Sequence, residues 1–188
     1  MMTGQWFTSP DGVRWFFDSG SLALDFGYTG DYGYDVSEWE SLPDPPALDA
    51  WLTERFGRLA SVPTAADFDR ALALRSAVWA IAGSLADGQP AAPTAVDVVN
   101  EIAALPGPIP HLAGGTTPPP QLAVPTALSA IARDAIAVFG GDPARIRRCG
   151  ADDCALIFYD GSRPGSRRWC SMRRCGNRAK VRNHRSRD

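Results

Sequence analysis

The sequence predicts an α+β protein. A mostly helical N-terminal domain with small β elements is followed by a small module, a β-hairpin plus C-terminal helix, built on four cysteines. Three observations predict this. Apolar residues recur at helical spacing through the middle of the 188-residue chain, punctuated by capping and stop signals. The first 45 residues are instead aromatic and rich in turn formers. All four cysteines fall in the last 40 residues, inside an arginine-rich tail.

In chain order, residues 13–17 (Val-Arg-Trp-Phe-Phe) predict a short strand. Residues 21–26 (Ser-Leu-Ala-Leu-Asp-Phe) fit either a strand or a helical turn. Tyr28, Tyr32 and Tyr34 among glycines predict a loop. Pro46 suits a first helical turn, after which Leu48, Trp51, Leu52, Phe56 and Leu59 share one face. Thr64 caps a second helix carrying Phe68, Leu72, Val78, Trp79 and Leu85 and stopping at Gly88. Pro93 and Thr94, with Asp97 three residues on, open a third that buries Val96, Val99, Ile102 and Leu105. The proline- and glycine-rich stretch 107–125 fits a β-hairpin around Gly114 and Gly115 or an irregular loop, with the hairpin the favoured reading. From Thr126 a fourth helix turns Leu128, Ile131, Ile136 and Phe139 inward, ending at Gly140 and Gly141.

The net charge of −2 conceals a division. Residues 1–140 hold 6 basic and 16 acidic side chains, a balance of −10, and residues 141–188 hold 13 and 5, a balance of +8. An acidic body joined to a basic module points to a polyanion or an acidic surface as partner. No apolar run reaches the roughly 20 residues of a membrane span. The N-terminus lacks the pattern of a secretory signal. The expectation is a cytoplasmic protein with no membrane partner, in a compartment where paired cysteines favour metal over disulfides.

Cys149 and Cys154 are separated by four residues, as are Cys170 and Cys175, with fifteen between the pairs. Two such knuckles match a tetrahedral four-cysteine zinc site. Four thiolates close the shell, so the expected cofactor is one structural Zn2+ with no open catalytic position. Two disulfides, an iron–sulfur cluster and His184 as a substitute ligand are the alternatives. The reducing setting, the absence of ferredoxin spacings and the basic surroundings of His184 weigh against them in turn. Residues 155–159 predict a strand leading into a turn at Asp160 and Gly161. A second strand or extended piece at 167–169 returns Cys170 to the first pair, and Cys175 opens a helix.

On that helix Arg174, Arg178, Arg182 and Arg185 repeat at four, four and three and so share a face. Lys180, His184 and Arg187 form a neighbouring stripe, and Arg163, Arg167 and Arg168 lie on the connector. This predicts nucleic-acid contacts at Arg163, Arg167, Arg168, Arg174, Arg178, Lys180, Arg182 and Arg185. Docking of the same arginines on the acidic body, or plain solvation, is the competing reading. Asn177 suits bonding to the thiolates or capping of the local turn better than base reading.

The body shows no catalytic constellation, so the chain reads as no enzyme. Its only histidine, His111, sits in the proline- and glycine-rich loop. Asp25 and Arg75 stand out as charges within apolar segments, and an ion pair or cap explains such charges more economically than a ligand site. Trp15, Phe16, Phe17, Tyr28, Tyr32, Trp51 and Trp79 could line a pocket, although aromatics at helical spacing are more often core.

From Arg148 through Cys149, Gly150 and Cys154, then Arg167, Arg168, Trp169 and Cys170, to Cys175, Gly176, Asn177 and Arg178, the tail closely resembles the CGNR zinc finger. The match covers about the last 45 residues. Upstream, Leu22 to Phe26, Trp51 with Leu52, and Leu74 with Arg75 resemble the ABATE domain that is fused ahead of this finger. Where that family continues with Val-Asn-Thr, this chain has Gly27, Tyr28 and Thr29. The resemblance implies a bacterial stress-induced transcription regulator, with an ABATE-like body at 1–143 and a DNA-binding finger at 144–188. Its partners would be DNA, a small-molecule effector of the body, and a second copy of the chain. The alternative is a protein-interaction or small-molecule-binding module whose finger is a scaffold or dimer contact.

Overall fold

The computed structural model describes residues 3–8, 12–30, 39–112 and 114–185, with the backbone alone at 183–185. Tyr32, Tyr34 and Arg187, and the side chains of His184 and Arg185, lie outside the described residues.

The chain opens with an antiparallel hairpin of β1 (Gln5–Thr8) and β2 (Arg14–Phe17), with Trp6 opposite Phe16 and Phe7 opposite Trp15. Period-two alternation gives it two unlike faces. Phe7 and Phe17 stack inward with centroids 5.5 Å apart, while Trp6 and Phe16 face outward, 58% and 46% exposed. Residues 21–26 resolve as helix: α1 (Leu22–Gly27) is capped by the Ser21 side chain and buried throughout.

Four longer helices build the body. Asp44 caps α2 (Pro45–Phe56), which ends at Gly57 with φ 80°. A reciprocal capping box between Thr64 and Asp67 starts α3 (Ala65–Ala86), whose 22 residues span about 33 Å. The next, α4 (Pro93–Ala103), differs from expectation at its start. Its N-cap is Ala92 without a side-chain bond, because Pro93 occupies the first helical position and leaves Thr94 and Asp97 inside the helix. Val96 lies at the rim, 36% exposed. The last, α5 (Val124–Phe139), begins two residues early because Pro125 suits its first turn. Leu22, Phe26, Leu48, Leu52, Leu74, Val78, Ile102, Leu128 and Ile131 form the common core.

Two expectations fail here. Among the described residues of 107–125 there is no hairpin. An isolated parallel bridge joins Leu59 to Leu122, and Ile109 and Leu112 are 78% and 91% exposed. Prolines at 106, 108, 110 and 118–120 remove the ladder donors a hairpin needs. On α5, Ile136 is 44% exposed, and Val138 is the buried residue in its stead. Val138 packs with Leu24 and Ala82 of the body against Ile146 and Ile157 of the tail, so the buried face shifts where the tail docks.

In the tail, β3 (Ile146–Arg148) pairs antiparallel with β4 (Ile157–Tyr159), and the first cysteine pair lies in the loop between them. Residues 167–169 form no strand and lie outside this ladder, held by Gly150 N–H donating to the Arg168 carbonyl at 2.8 Å. A wide turn at Met172–Gly176 leads into α6 (Asn177–Arg185).

Candidate functional site

The tail is not tethered loosely to the body. Cys149, Cys170, Cys175, Ala151 and Phe158 form one buried cluster with Phe17 and Tyr28. The Tyr28 hydroxyl donates to the Ile157 carbonyl at 2.8 Å and accepts the Ile157 N–H at 2.6 Å. Tyr159 N–H donates to the Ser19 carbonyl at 2.8 Å. Gly20, with φ 81°, lies so close that a Cβ would collide with the Tyr159 carbonyl oxygen. Arg148 and Asp87 close the seam with a two-point ion pair at 2.5 and 2.7 Å, which holds the Asp87 carboxyl below its ordinary range.

The four cysteine sulfurs lie within 4.8 Å of one another, with Cys154 to Cys170 at 3.7 Å and Cys170 to Cys175 at 3.5 Å. All four are free of disulfides; three are buried and Cys154 is half-buried. A tetrahedron with metal–sulfur bonds of about 2.3 Å places its sulfurs about 3.8 Å apart, so this donor set fits a zinc ion. Crowding makes the thiols titrate unequally. Hydrogen bonds from Cys154 and Cys170 pull the Cys149 thiol down, and the protons held for it push Cys154 and Cys170 up. A divalent cation lets all four ionise together. The local backbone supports the sulfurs, since Cys170 N–H donates to Cys149 Sγ at 3.4 Å.

The basic side chains divide into two groups. Arg167 is spent inside the fold. Its guanidinium donates to the carbonyls of Asp18 and Cys170, both at 2.7 Å, and stacks 4.1 Å from the Phe158 ring centroid. Its backbone N–H donates to the buried Asp160 carboxylate at 2.7 Å. Arg174 sits over Trp15 at 4.7 Å. Arg178 reaches Cys175 Sγ at 3.3 Å and Asp153 at 3.1 Å, and Arg182 reaches Asp153 at 3.6 Å. Arg174 and Arg178 therefore turn toward the protein, while Arg182, 44% exposed, meets Asp153 at the surface. Arg163, Arg168, Arg173 and Lys180 are exposed and carry no ion pair among the described residues. Asn177 donates to the Arg173 carbonyl at 3.4 Å and makes no hydrogen bond to a thiolate among the described residues, in keeping with the turn-capping role.

Sequence reasoning passed over Asp153 and Arg173. The signal for Asp153 was its position beside Cys154, an acid facing a basic helix across one metal site. In the body, Arg75 forms a two-point ion pair with Glu40 at 2.6 and 2.8 Å. Asp25 instead ties the hairpin to α1, accepting from Ser19 Oγ and Gly4 N–H, both at 2.6 Å. Burial pushes its carboxyl up to about 6. Phe17, Tyr28 and Trp51 are core, Trp15 and Trp79 pack against it, and Phe16 is exposed. Among the described residues no helix is long and apolar enough to cross a membrane.

A helical body carrying a docked four-cysteine finger defines a zinc-finger protein. Residues 20–142 match the ABATE model, described as "Putative stress-induced transcription regulator", and residues 145–188 match the CGNR zinc finger. The chain belongs to the ABATE family, and its cysteine cluster is a CGNR zinc-finger site consistent with one Zn2+. No curated protein matches it.

Proposed function

We propose that this chain is a cytoplasmic DNA-binding transcriptional regulator with no catalytic activity. Residues 1–143 form a regulatory body and residues 144–188 a finger, in which Cys149, Cys154, Cys170 and Cys175 hold one structural zinc. The observation that carries the reading is the set of exposed bases left over once internal contacts are satisfied. Arg163 and Arg168 on the connector, and Arg173 and Lys180 on the outer side of the wide turn and α6, carry no ion pair among the described residues. Arg182 is half-exposed beside them, and Arg174 and Arg178 act mainly from inside. Exposed guanidinium and ammonium groups on a metal-braced support suit a phosphate backbone.

The test is fluorescence anisotropy of a labelled random-sequence duplex against zinc-loaded protein over a salt series. About five phosphate contacts give a log–log slope near −4.5, abolished by stripping the metal. Absence of binding at about 50 mM salt refutes the reading. One observation favours the second reading, a small-molecule-binding module. A cleft of about 650 Å³ opens between the end of α3 and the finger, floored by Leu85, Pro143 and Ile146 and rimmed by Arg147 and Arg168. A ligand there would touch both parts of the chain at once, and its signature would be metabolite-dependent stabilisation without duplex binding.

A further inference from the structure

We infer that Arg178 and Asp153 form an ionic clamp across the metal cluster, a pair of positioning residues that hold the Cys175 thiolate and set the pose of α6. The inference rests on the zinc site and not on DNA binding. Arg178 lies three residues after Cys175, so the helical turn puts both on one face. The guanidinium is gripped at its two outer nitrogens: one donates to Cys175 Sγ at 3.3 Å and the other meets Asp153 at 3.1 Å. Its Nε is buried without a hydrogen-bond partner, which leaves that edge sealed against an incoming phosphate. Asp153 precedes Cys154 in the first knuckle, whereas Arg178 follows the last ligand of the second. One side chain therefore bridges the two halves of the site.

Asp153 does the same from the other side. One carboxylate oxygen takes Arg178 and the other takes Arg182, one turn further along α6, at 3.6 Å. Two arginines four residues apart on a single carboxylate fix the helix in rotation as well as distance. The chemistry asks for such a group. Four thiolates around a divalent ion leave a net charge of −2, and a guanidinium donating to one sulfur offsets part of it. An exposed ion pair alone is worth little, so the sulfur contact is what gives the clamp its effect on the metal.

The experiment uses full-length zinc-loaded protein and follows zinc transfer to a chromogenic chelator. The absorption of the cobalt-substituted protein is recorded in parallel, because its thiolate-to-metal band reports charge on sulfur. Arg178→Gln should speed release at least tenfold and move the band. Arg178→Lys should recover part of both, and Asp153→Asn should accelerate release about threefold. Lys180→Gln, a change of equal charge on the outer face, should match wild type in zinc release and in the cobalt band, whatever it does to duplex binding. Release from Arg178→Gln within twofold of wild type, or equal acceleration by Lys180→Gln, overturns the clamp. If Arg178→Gln fails to fold, Asp153→Asn decides, and an unchanged rate there overturns it equally. Wild-type protein holding less than one zinc overturns the metal site itself and the clamp with it; one tightly held zinc that ignores Arg178 overturns the clamp alone.

Discussion

Tyr28→Phe isolates the joint between finger and body. The Tyr28 hydroxyl is the partner of both the N–H and the carbonyl of Ile157, at 2.6 and 2.8 Å, and both residues are buried. It thereby closes the edge of β4 that faces the body. The ring would stay in place, since Phe17 and Trp79 hold it with centroids 5.2 Å away on each side. The substitution therefore removes one oxygen and orphans two buried backbone groups. Each orphan costs about 1–3 kcal/mol, so the expected loss is about 2–6 kcal/mol. For a chain of this size that lowers the melting temperature by about 4–24 °C. Scanning calorimetry of zinc-saturated protein, with limited proteolysis around residues 140–146, is the assay, and both melting and cleavage should respond. A loss below about 0.5 kcal/mol with unchanged cleavage would refute the claim that this hydroxyl joins the two parts.

Three further outcomes follow from the same contacts. Gly20→Ala forces a side chain onto the Tyr159 carbonyl at a φ of 81° and should cost about 1–3 kcal/mol in the same melt; wild-type stability would show that the seam yields there. Cys170→Ser should abolish stoichiometric zinc by elemental analysis and alter tryptophan fluorescence, because Cys170 shares a cluster with Phe17, Trp15 and Trp79. Most far-UV helical signal should remain, and one tightly held zinc would sink the four-cysteine assignment. Asp25, its carboxyl raised to about 6 by burial, binds its proton more tightly folded than unfolded, with Arg55 opposing the shift and Asp18 adding to it. Its contribution is therefore most favourable below about pH 4 and is lost as pH rises through 6. Between pH 5 and 8 wild type should lose about 1.4 kcal/mol relative to Asp25→Asn, and parallel profiles would refute this.

What could be read from the sequence had a local cause. The Thr64 cap, the proline-led helix starts and the cysteine knuckles are set by residues three to five apart. The failures are long-range. Neither β1 nor β3 is long enough for periodicity to register, at four and three residues, and each becomes a strand only through its partner. Of the strand predicted over 155–159 only Ile157–Tyr159 forms, and β4 pairs with β3 and not with residues 167–169. The exchange of Ile136 for Val138 as the buried residue of α5 depends on where the tail docks. The four-residue spacing did place Arg174, Arg178 and Arg182 on one face, but spacing has no sign and cannot say which way a face points. Cys175 carries the missing sign, because an arginine three residues after a buried ligand shares the ligand's face. Likewise Tyr28, read only as a loop residue, is the residue that holds β4.

The charge division, a body at −10 and a tail at +8, invites an electrostatic account of docking, and the seam argues against it. Among the described residues, Arg148 with Asp87 is the ion pair that crosses it. The other contacts are two apolar clusters, the Tyr28 and Ser19 hydrogen bonds, and arginines bonded to a carbonyl or stacked on a ring instead of paired with carboxylates. Contacts of this kind are screened little by salt, whereas phosphate contacts are screened strongly. The docked finger can therefore keep its place while its outer bases exchange partners. Docking and duplex binding are thus not rivals for the same arginines. The internal set holds the finger at a fixed angle, and the external set is what that angle presents.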